Sequence, residues 1–131
     1  MDFEAQDKKL PFDGPDKIDV AVLETFDYEY AGKDAEIEIQ TDEFTSVCPY
    51  SGLPDFASIV ISYVPDQKCI ELRSLKYYLL SYRNVGIFYE HLVNRMLDDL
   101  AQCCQPNTMT IRGEFTIRGG LQSVITASYP R

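Results

Sequence analysis

The chain has 131 residues, 45% hydrophobic and 25% charged, the make-up of one globular domain with enough apolar content for a core. Its net charge of −9 argues against a partner held through a phosphate backbone, and no run approaches the roughly 18 apolar residues of a membrane span. The charge is uneven: residues 1–43 hold fourteen acids and four bases, a net of −10, while residues 44–131 hold seven acids and eight bases, a net of +1, which either leaves the second part open to an anionic ligand or only marks the front as a solvated arm and strand face.

Residues 1–18 are polar and acidic and lack the apolar stretch of a signal peptide. They read as a flexible arm ahead of a single domain over residues 19–131. Asp19–Thr25 has the composition of an edge strand. Residues 35–41 alternate apolar and polar positions, and residues 57–64 are rich in β-branched side chains and stop at Pro65, so each predicts a strand. Between them, Pro49, Ser51, Gly52 and Pro54 mark a loop. Residues 70–82 read as a helix, with Leu72, Leu75 and Leu79 on one stripe and Arg73, Lys76 and Arg83 on another. Asn84-Val85-Gly86 breaks the run. A longer helix over residues 87–103 turns Leu92, Val93, Met96, Leu97, Leu100 and Cys103 to the core and Asn94, Asp98 and Gln102 away. Residues 108–115 and 121–128 predict two further strands around Arg118-Gly119-Gly120. Helices gathered between paired strands predict an α+β layer on an antiparallel sheet.

The loop carries Cys48, with Asp55 seven positions on. Two readings are open. Cys48 is either a small packing thiol or a nucleophile, which needs the thiolate and a neighbouring proton carrier. Asp55 is either a turn acid or that carrier. Glu90, at the margin of the second helix's apolar arc, is either solvated or a double acceptor for a ring amide and an exocyclic amine. The remaining thiols, Cys69, Cys103 and Cys104, with the single histidine His91, supply no zinc ligand spacing, and they read as reduced packing residues in a cytoplasmic protein. No Gly-x-Gly-x-x-Gly or Walker pattern is present.

Phe44-Thr-Ser-Val-Cys-Pro-x-Ser-Gly-x-Pro-Asp-Phe-Ala57, Glu71-Leu-Arg-Ser-Leu-Lys-Tyr-Tyr78, Phe88-Tyr-Glu-His-Leu-Val-Asn94 and Arg118-Gly-Gly120 occur in that order. Over residues 37–131 this resembles the single-module 7-cyano-7-deazaguanine reductases, NADPH-dependent nitrile reductases of queuosine biosynthesis. The resemblance implies the tunnelling fold, in which sheets of several subunits join into a barrel with sites at subunit boundaries, here as stacked pentamer rings. It implies that Cys48 adds to the nitrile carbon as a covalent thioimide, that Asp55 moves protons, and that Glu90 and Tyr89 bind a deazapurine substrate. For NADPH it implies Glu71, Arg73, Ser74, Lys76, Arg118 and Gly119, with no metal and no direct contact to nucleic acid. Two positions depart from the pattern: Arg73 where lysine is commoner, and Tyr89 where many relatives carry histidine. His91 does not replace that histidine, because residues 89 and 91 of a helix point about 160° apart. Competing readings are a non-redox purine or pterin enzyme of the same fold and a non-catalytic ring-binding protein, which has no use for Cys48 and Asp55 together.

Overall fold

A computed structural model describes residues 9–131. In chain order the elements are β1 (Thr25–Asp27), β2 (Ile37–Val47), β3 (Pro54–Val64), β4 (Lys68–Ile70), α1 (Leu72–Leu80), α2 (Tyr89–Cys104), β5 (Thr108–Phe115) and β6 (Val124–Tyr129). β2, β3, β5 and β6 form an antiparallel sheet in that spatial order, and β1 pairs with β4 in a two-stranded ribbon.

Alternation along β3 decides where the core sits. Asp55, Ala57, Ile59, Ile61 and Tyr63 are buried, while the residues between them are exposed or half-buried. The matching face of β5 supplies Met109, Ile111 and Phe115. α2 lies over this face against β5 and β6, and α1 meets β2. Leu92, Val93, Met96, Leu97 and Leu100 of α2 and Leu75 of α1 enter the core. At the end of α2, Cys104 rather than Cys103 is the more deeply buried thiol.

β2 changes its inward parity once. It pairs Ile37, Ile39 and Thr41 with Tyr63, Ile61 and Ile59, then Phe44 with Ala57 and Ser46 with Asp55, the register shifting between Thr41 and Phe44. Three residues on β2 there span two on β3, so one residue is extra and the strand bulges. The Thr41 hydroxyl accepts the Glu43 N–H at 3.1 Å within the bulge. Beyond it the even-numbered residues of β2 face the helices, and Ser46 stands on the same face as Asp55.

The described elements differ from the sequence expectations in three places. Asp19–Thr25 is not a strand: Val20–Val22 forms a 3-10 turn, and pairing begins only at Thr25, where Ile70 offers a partner. Glu24 just before it is held to α1, its N–H donating to the Ser74 hydroxyl at 2.9 Å and its carbonyl accepting the Glu71 N–H at 3.0 Å. β4 is a short strand that Pro65-Asp66 conceals in the sequence. Residues 1–8 of the expected arm lie outside the described residues, but from Leu10 onward the segment is hydrogen-bonded to the body. Leu10 N–H donates to the Ser51 carbonyl and Asp13 N–H to the Asn84 carbonyl, each at 2.8 Å, and Ile18 is buried. An acidic composition hides these bonds because backbone groups make them.

α1 and α2 are joined by a buried polar chain. Arg95 Nε donates to Asp99 Oδ2 at 2.8 Å, the Tyr78 hydroxyl donates to the same oxygen at 2.6 Å, and the Tyr82 hydroxyl lies 2.7 Å from that of Tyr78. Burial, then the neighbouring Tyr82 and Asp99, holds the Tyr78 phenol neutral well above the usual tyrosine range, so it is a donor. Tyr78→Phe keeps the ring and leaves a nine-tenths buried carboxylate short of a donor. The expected cost is about 1–3 kcal/mol, read as a lower urea midpoint at unchanged m-value. An unchanged midpoint would show that Arg95 alone satisfies Asp99.

Candidate active site

β2 and β3 pair as far as Val47 and Pro54, and the loop between them closes on itself, Cys48 N–H donating to the Leu53 carbonyl and Gly52 N–H to the Cys48 carbonyl, each at 2.9 Å. Gly52 has φ +72°, and a Cβ there would strike the Leu10 carbonyl, so the loop needs glycine both for its turn and for the N-terminal segment that crosses it. Val47 is also pinned to the segment after α1, its N–H donating to the Val85 carbonyl at 3.1 Å. That segment leads into the start of α2, and so the loop holding Cys48 is tied to the helix turn holding Tyr89.

Cys48, Ser51, Leu53, Pro54, Asp55, Phe56, Tyr89 and Arg118 line one open cleft of about 660 Å³. Burial acts to raise the Cys48 thiol pKa, but hydrogen bonds from the Ser51 N–H and hydroxyl and the Tyr50 N–H outweigh it, and the net effect lowers the pKa in spite of the nearby Asp55 charge. The thiol is thus biased toward thiolate. Cys103 and Cys104 go the other way, raised by burial, Cys104 to about 12.

Asp55 is 6% exposed and meets Arg118, whose Nε lies 3.5 Å from Oδ1 and whose Nη2 donates to the Pro54 carbonyl at 2.6 Å. The guanidinium is about half exposed, so water screens the attraction and leaves it easily exchanged. Tyr89 stacks on Phe115 with ring centroids 3.9 Å apart. Burial, then hydrogen bonding to Asp55 and its charge, pushes the Tyr89 phenol up to about 12, against the pull of Arg118. At neutral pH it offers a proton-bearing hydroxyl to the cleft.

The structure therefore gathers Cys48, Asp55, Tyr89 and Arg118, and it leaves the other expected site residues apart. Arg118 was expected among the cofactor contacts; in this chain it adjoins the Asp55 carboxylate. Glu90 is exposed and does not line the cleft. His91 is exposed and packs edge-on against Phe88. Glu71 and Ser74 are engaged in capping α1: the Glu71 carboxylate accepts the Arg73 N–H at 2.9 Å and the Ser74 N–H at 2.6 Å, and the buried Ser74 hydroxyl donates to the Glu71 carbonyl at 2.8 Å. These bonds cap the helix N-terminus. Arg73 and Lys76 are exposed on α1, the Lys76 ammonium 4.9 Å above the Tyr77 ring. Gly119 and Gly120 have φ +59° and +79°, and a Cβ at either would meet open space, so the turn beside Arg118 lets a ligand approach the backbone. Ser51 was not singled out from the sequence, where it is one of several turn formers; only the closed loop aims its N–H and hydroxyl at sulfur.

A family profile described as QueF-like protein matches residues 54–131. A protein of Chlorobaculum tepidum named NADPH-dependent 7-cyano-7-deazaguanine reductase is 54% identical over 110 residues, covering 84% of this chain and 94% of its own. One of Caldicellulosiruptor bescii with the same name is 51% identical over 126 residues, covering 96% of each. Among solved structures, the apo archaeosine synthase QueF-Like superposes with a TM-score of 0.67 at 21% identity, covering 73% of this chain and 94% of its own, which shows a shared fold. That fold is the tunnelling fold.

Thiol alkylation tests the electrostatics of the cleft. Cys48 is expected to react with iodoacetamide before Cys103 and Cys104, with a pH midpoint below that of a free cysteine. Ser51→Ala removes a hydrogen bond to the thiolate and should move the midpoint up; Asp55→Asn removes a repelling charge and should move it down. Midpoints that stay together in all three proteins would show that neither neighbour acts on the thiol.

Proposed function

This chain belongs to the family of NADPH-dependent 7-cyano-7-deazaguanine reductases, and we propose that it reduces the nitrile of that deazapurine to an aminomethyl group with two NADPH in queuosine biosynthesis. The observation that carries the mechanism is the pairing of a thiol biased toward thiolate with a buried carboxyl in one cleft.

Cys48 Sγ adds to the nitrile carbon; the C–S bond forms as one C–N π bond opens, and the nitrogen takes up a proton through Asp55. The product is a thioimide held on Cys48. NADPH supplies two hydrides in succession, both to this carbon. After the first, the C–S bond breaks and Cys48 leaves as thiolate, giving an imine. After the second, the carbon bears two hydrogens and the nitrogen is an amine. Two hydrides and two protons are consumed in all, and Asp55 serves as the proton carrier at the nitrogen, a role suited to a carboxyl that is 6% exposed and next to the nucleophile. Tyr89 donates a hydrogen bond in the cleft and, stacked on Phe115, walls the ring site.

The residues present fit the cofactor's phosphates: Arg73, Lys76 and Arg118 are exposed cations, and the Gly119-Gly120 turn is open to close approach. Glu90 reads the deazaguanine amide and amine. Neither Glu90 nor the α1 cations line the cleft of their own chain, and this supports a homo-oligomer in which a neighbouring copy completes each site. Apart from the bridge of Val47 to Gly86, the outer edges of β2 and β6 have no strand partner among the described residues and offer a route to such joining. Among the described residues no helix is long and apolar enough to cross a membrane, in keeping with a cytoplasmic enzyme.

Intact-mass measurement after adding the nitrile without NADPH should show a one-ligand increase in the parent protein and none in Cys48→Ala. No increase in the parent, or an increase surviving Cys48→Ala, would reject the thioimide route. Asp55→Asn should bind ligand while turnover falls by about 10²-fold or more. Glu90→Gln on a Cys48→Ala background should weaken ring binding by about 1–3 kcal/mol by calorimetry. Lys76→Ala should raise the Michaelis constant for NADPH and leave the cofactor-free adduct unchanged; unaltered NADPH kinetics would remove Lys76 from the cofactor site.

A further inference from the structure

Ser46 is fully buried, and its hydroxyl oxygen has no hydrogen-bond partner among the described residues. A buried hydroxyl held without a partner is a cost to the fold, and such groups are few. This one sits directly across the ladder from Asp55 and two residues before Cys48, on the face they share beyond the β2 bulge. Directly opposed residues of an antiparallel pair bring their Cβ atoms to about 4.5–5.5 Å. From there, a serine oxygen and an aspartate oxygen meet after rotation about the side-chain bonds alone.

We infer that Ser46 is a positioning residue for Asp55, its hydroxyl donating to one carboxyl oxygen when Arg118 leaves the other partner position for an anionic group of the cofactor. The inference rests on the reductase reading above. In the structure Asp55 Oδ1 faces the half-exposed Arg118 guanidinium at 3.5 Å. A proton carrier must instead aim one oxygen at the substrate nitrogen, both as acid and as carboxylate. Arginine only donates, so it suits the carboxylate. A hydroxyl donates equally to a carboxylate oxygen and to the carbonyl oxygen of the acid, and so it can hold one oxygen through both states while the other works. Ser46 has this capacity from the protein interior, behind the cleft, and among the described residues its hydroxyl has no other partner. The other groups facing Asp55 do so from the cleft side: Arg118, which also holds the Pro54 carbonyl, and the Tyr89 hydroxyl, which hydrogen-bonds the carboxyl where a substrate would enter.

The test compares Ser46→Ala, Ser46→Thr and Ser46→Val by thermal melting and by steady-state reduction of the nitrile. Removing a hydroxyl that bonds nothing in the resting protein should leave the Ser46→Ala melting temperature equal to the parent's or above it. Its kcat should fall by about tenfold, a part of the roughly 10²–10⁴ carried by a positioned proton carrier, with KM for the nitrile within about twofold. Threonine and valine add the same volume and differ by the hydroxyl, so kcat of Ser46→Thr should exceed that of Ser46→Val by about the same tenfold. A lower melting temperature for Ser46→Ala would make the hydroxyl a structural partner and overturn the inference, as would equal kcat values for the threonine and valine proteins. A parent protein that forms no Cys48 adduct rejects the reductase reading and this role with it; a parent that turns over beside an unimpaired Ser46→Ala rejects this role alone.

Discussion

One extra residue in β2 governs the chemistry of this chain. Without the bulge between Thr41 and Phe44, strict alternation from Ile37, Ile39 and Thr41 would keep the odd residues on the helix-covered face and send Ser46 and Cys48 to the other. The bulge reverses the parity for the last stretch before the loop. Ser46 and Asp55 then stand opposite each other, and the chain enters the loop with the thiol on the side of the carboxyl. The long pairing of β2 with β3 and of β3 with β5 makes a compensating slip expensive, because it would turn Ile59, Ile61 and Tyr63 out of the core.

The cleft balances three influences on a small set of groups. Loop N–H groups and the Ser51 hydroxyl draw the Cys48 thiol toward its charged form, while the Asp55 charge opposes this. Arg118 offsets the carboxylate from the solvent side, and Tyr89 remains neutral beside both. The N-terminal segment takes part at one remove: Leu10 fixes the Ser51 carbonyl, and Ser51 is the residue that acts most on sulfur. An acidic segment thus supports the site through its backbone.

The layered design separates stability from chemistry. The helix-covered face is apolar along most of its length, and a buried polar chain there, Arg95–Asp99–Tyr78–Tyr82, is satisfied by partners on α1, α2 and the turn after α1. The opposite end of the same face is where Ser46, Asp55 and Cys48 gather, with an unpartnered hydroxyl among them. The exposed apolar residues Tyr50, Leu53, Phe56, Phe88, Ile117 and Leu121 occur on the loops and strand ends near that end of the molecule, a distribution that suits a ring-shaped ligand or a second copy better than open water.

The sequence by itself determined the strand–strand–helix–helix–strand–strand order, the loop bearing Cys48 and Asp55, and the apolar stripe of α2, because periodicity and turn chemistry are local properties. Its motifs also carried the family, which the relatives then showed. It could not place the 3-10 turn at Val20–Val22, since the choice there depended on β4 as a partner for Thr25 and on Ser74 as a partner for Glu24. It could not show Glu71 and Ser74 as helix caps, since a carboxylate and a hydroxyl suit many roles and only the placement of the neighbouring N–H groups makes the capping bonds. Arg118 lies 63 positions from Asp55 and Tyr89 lies 34 from it; their meeting rests on the sheet's pairing and on the bond from Val47 to Val85. The tertiary structure alone decided the orphaned hydroxyl of Ser46, because a side chain's partners, or its lack of them, are properties of the packed interior.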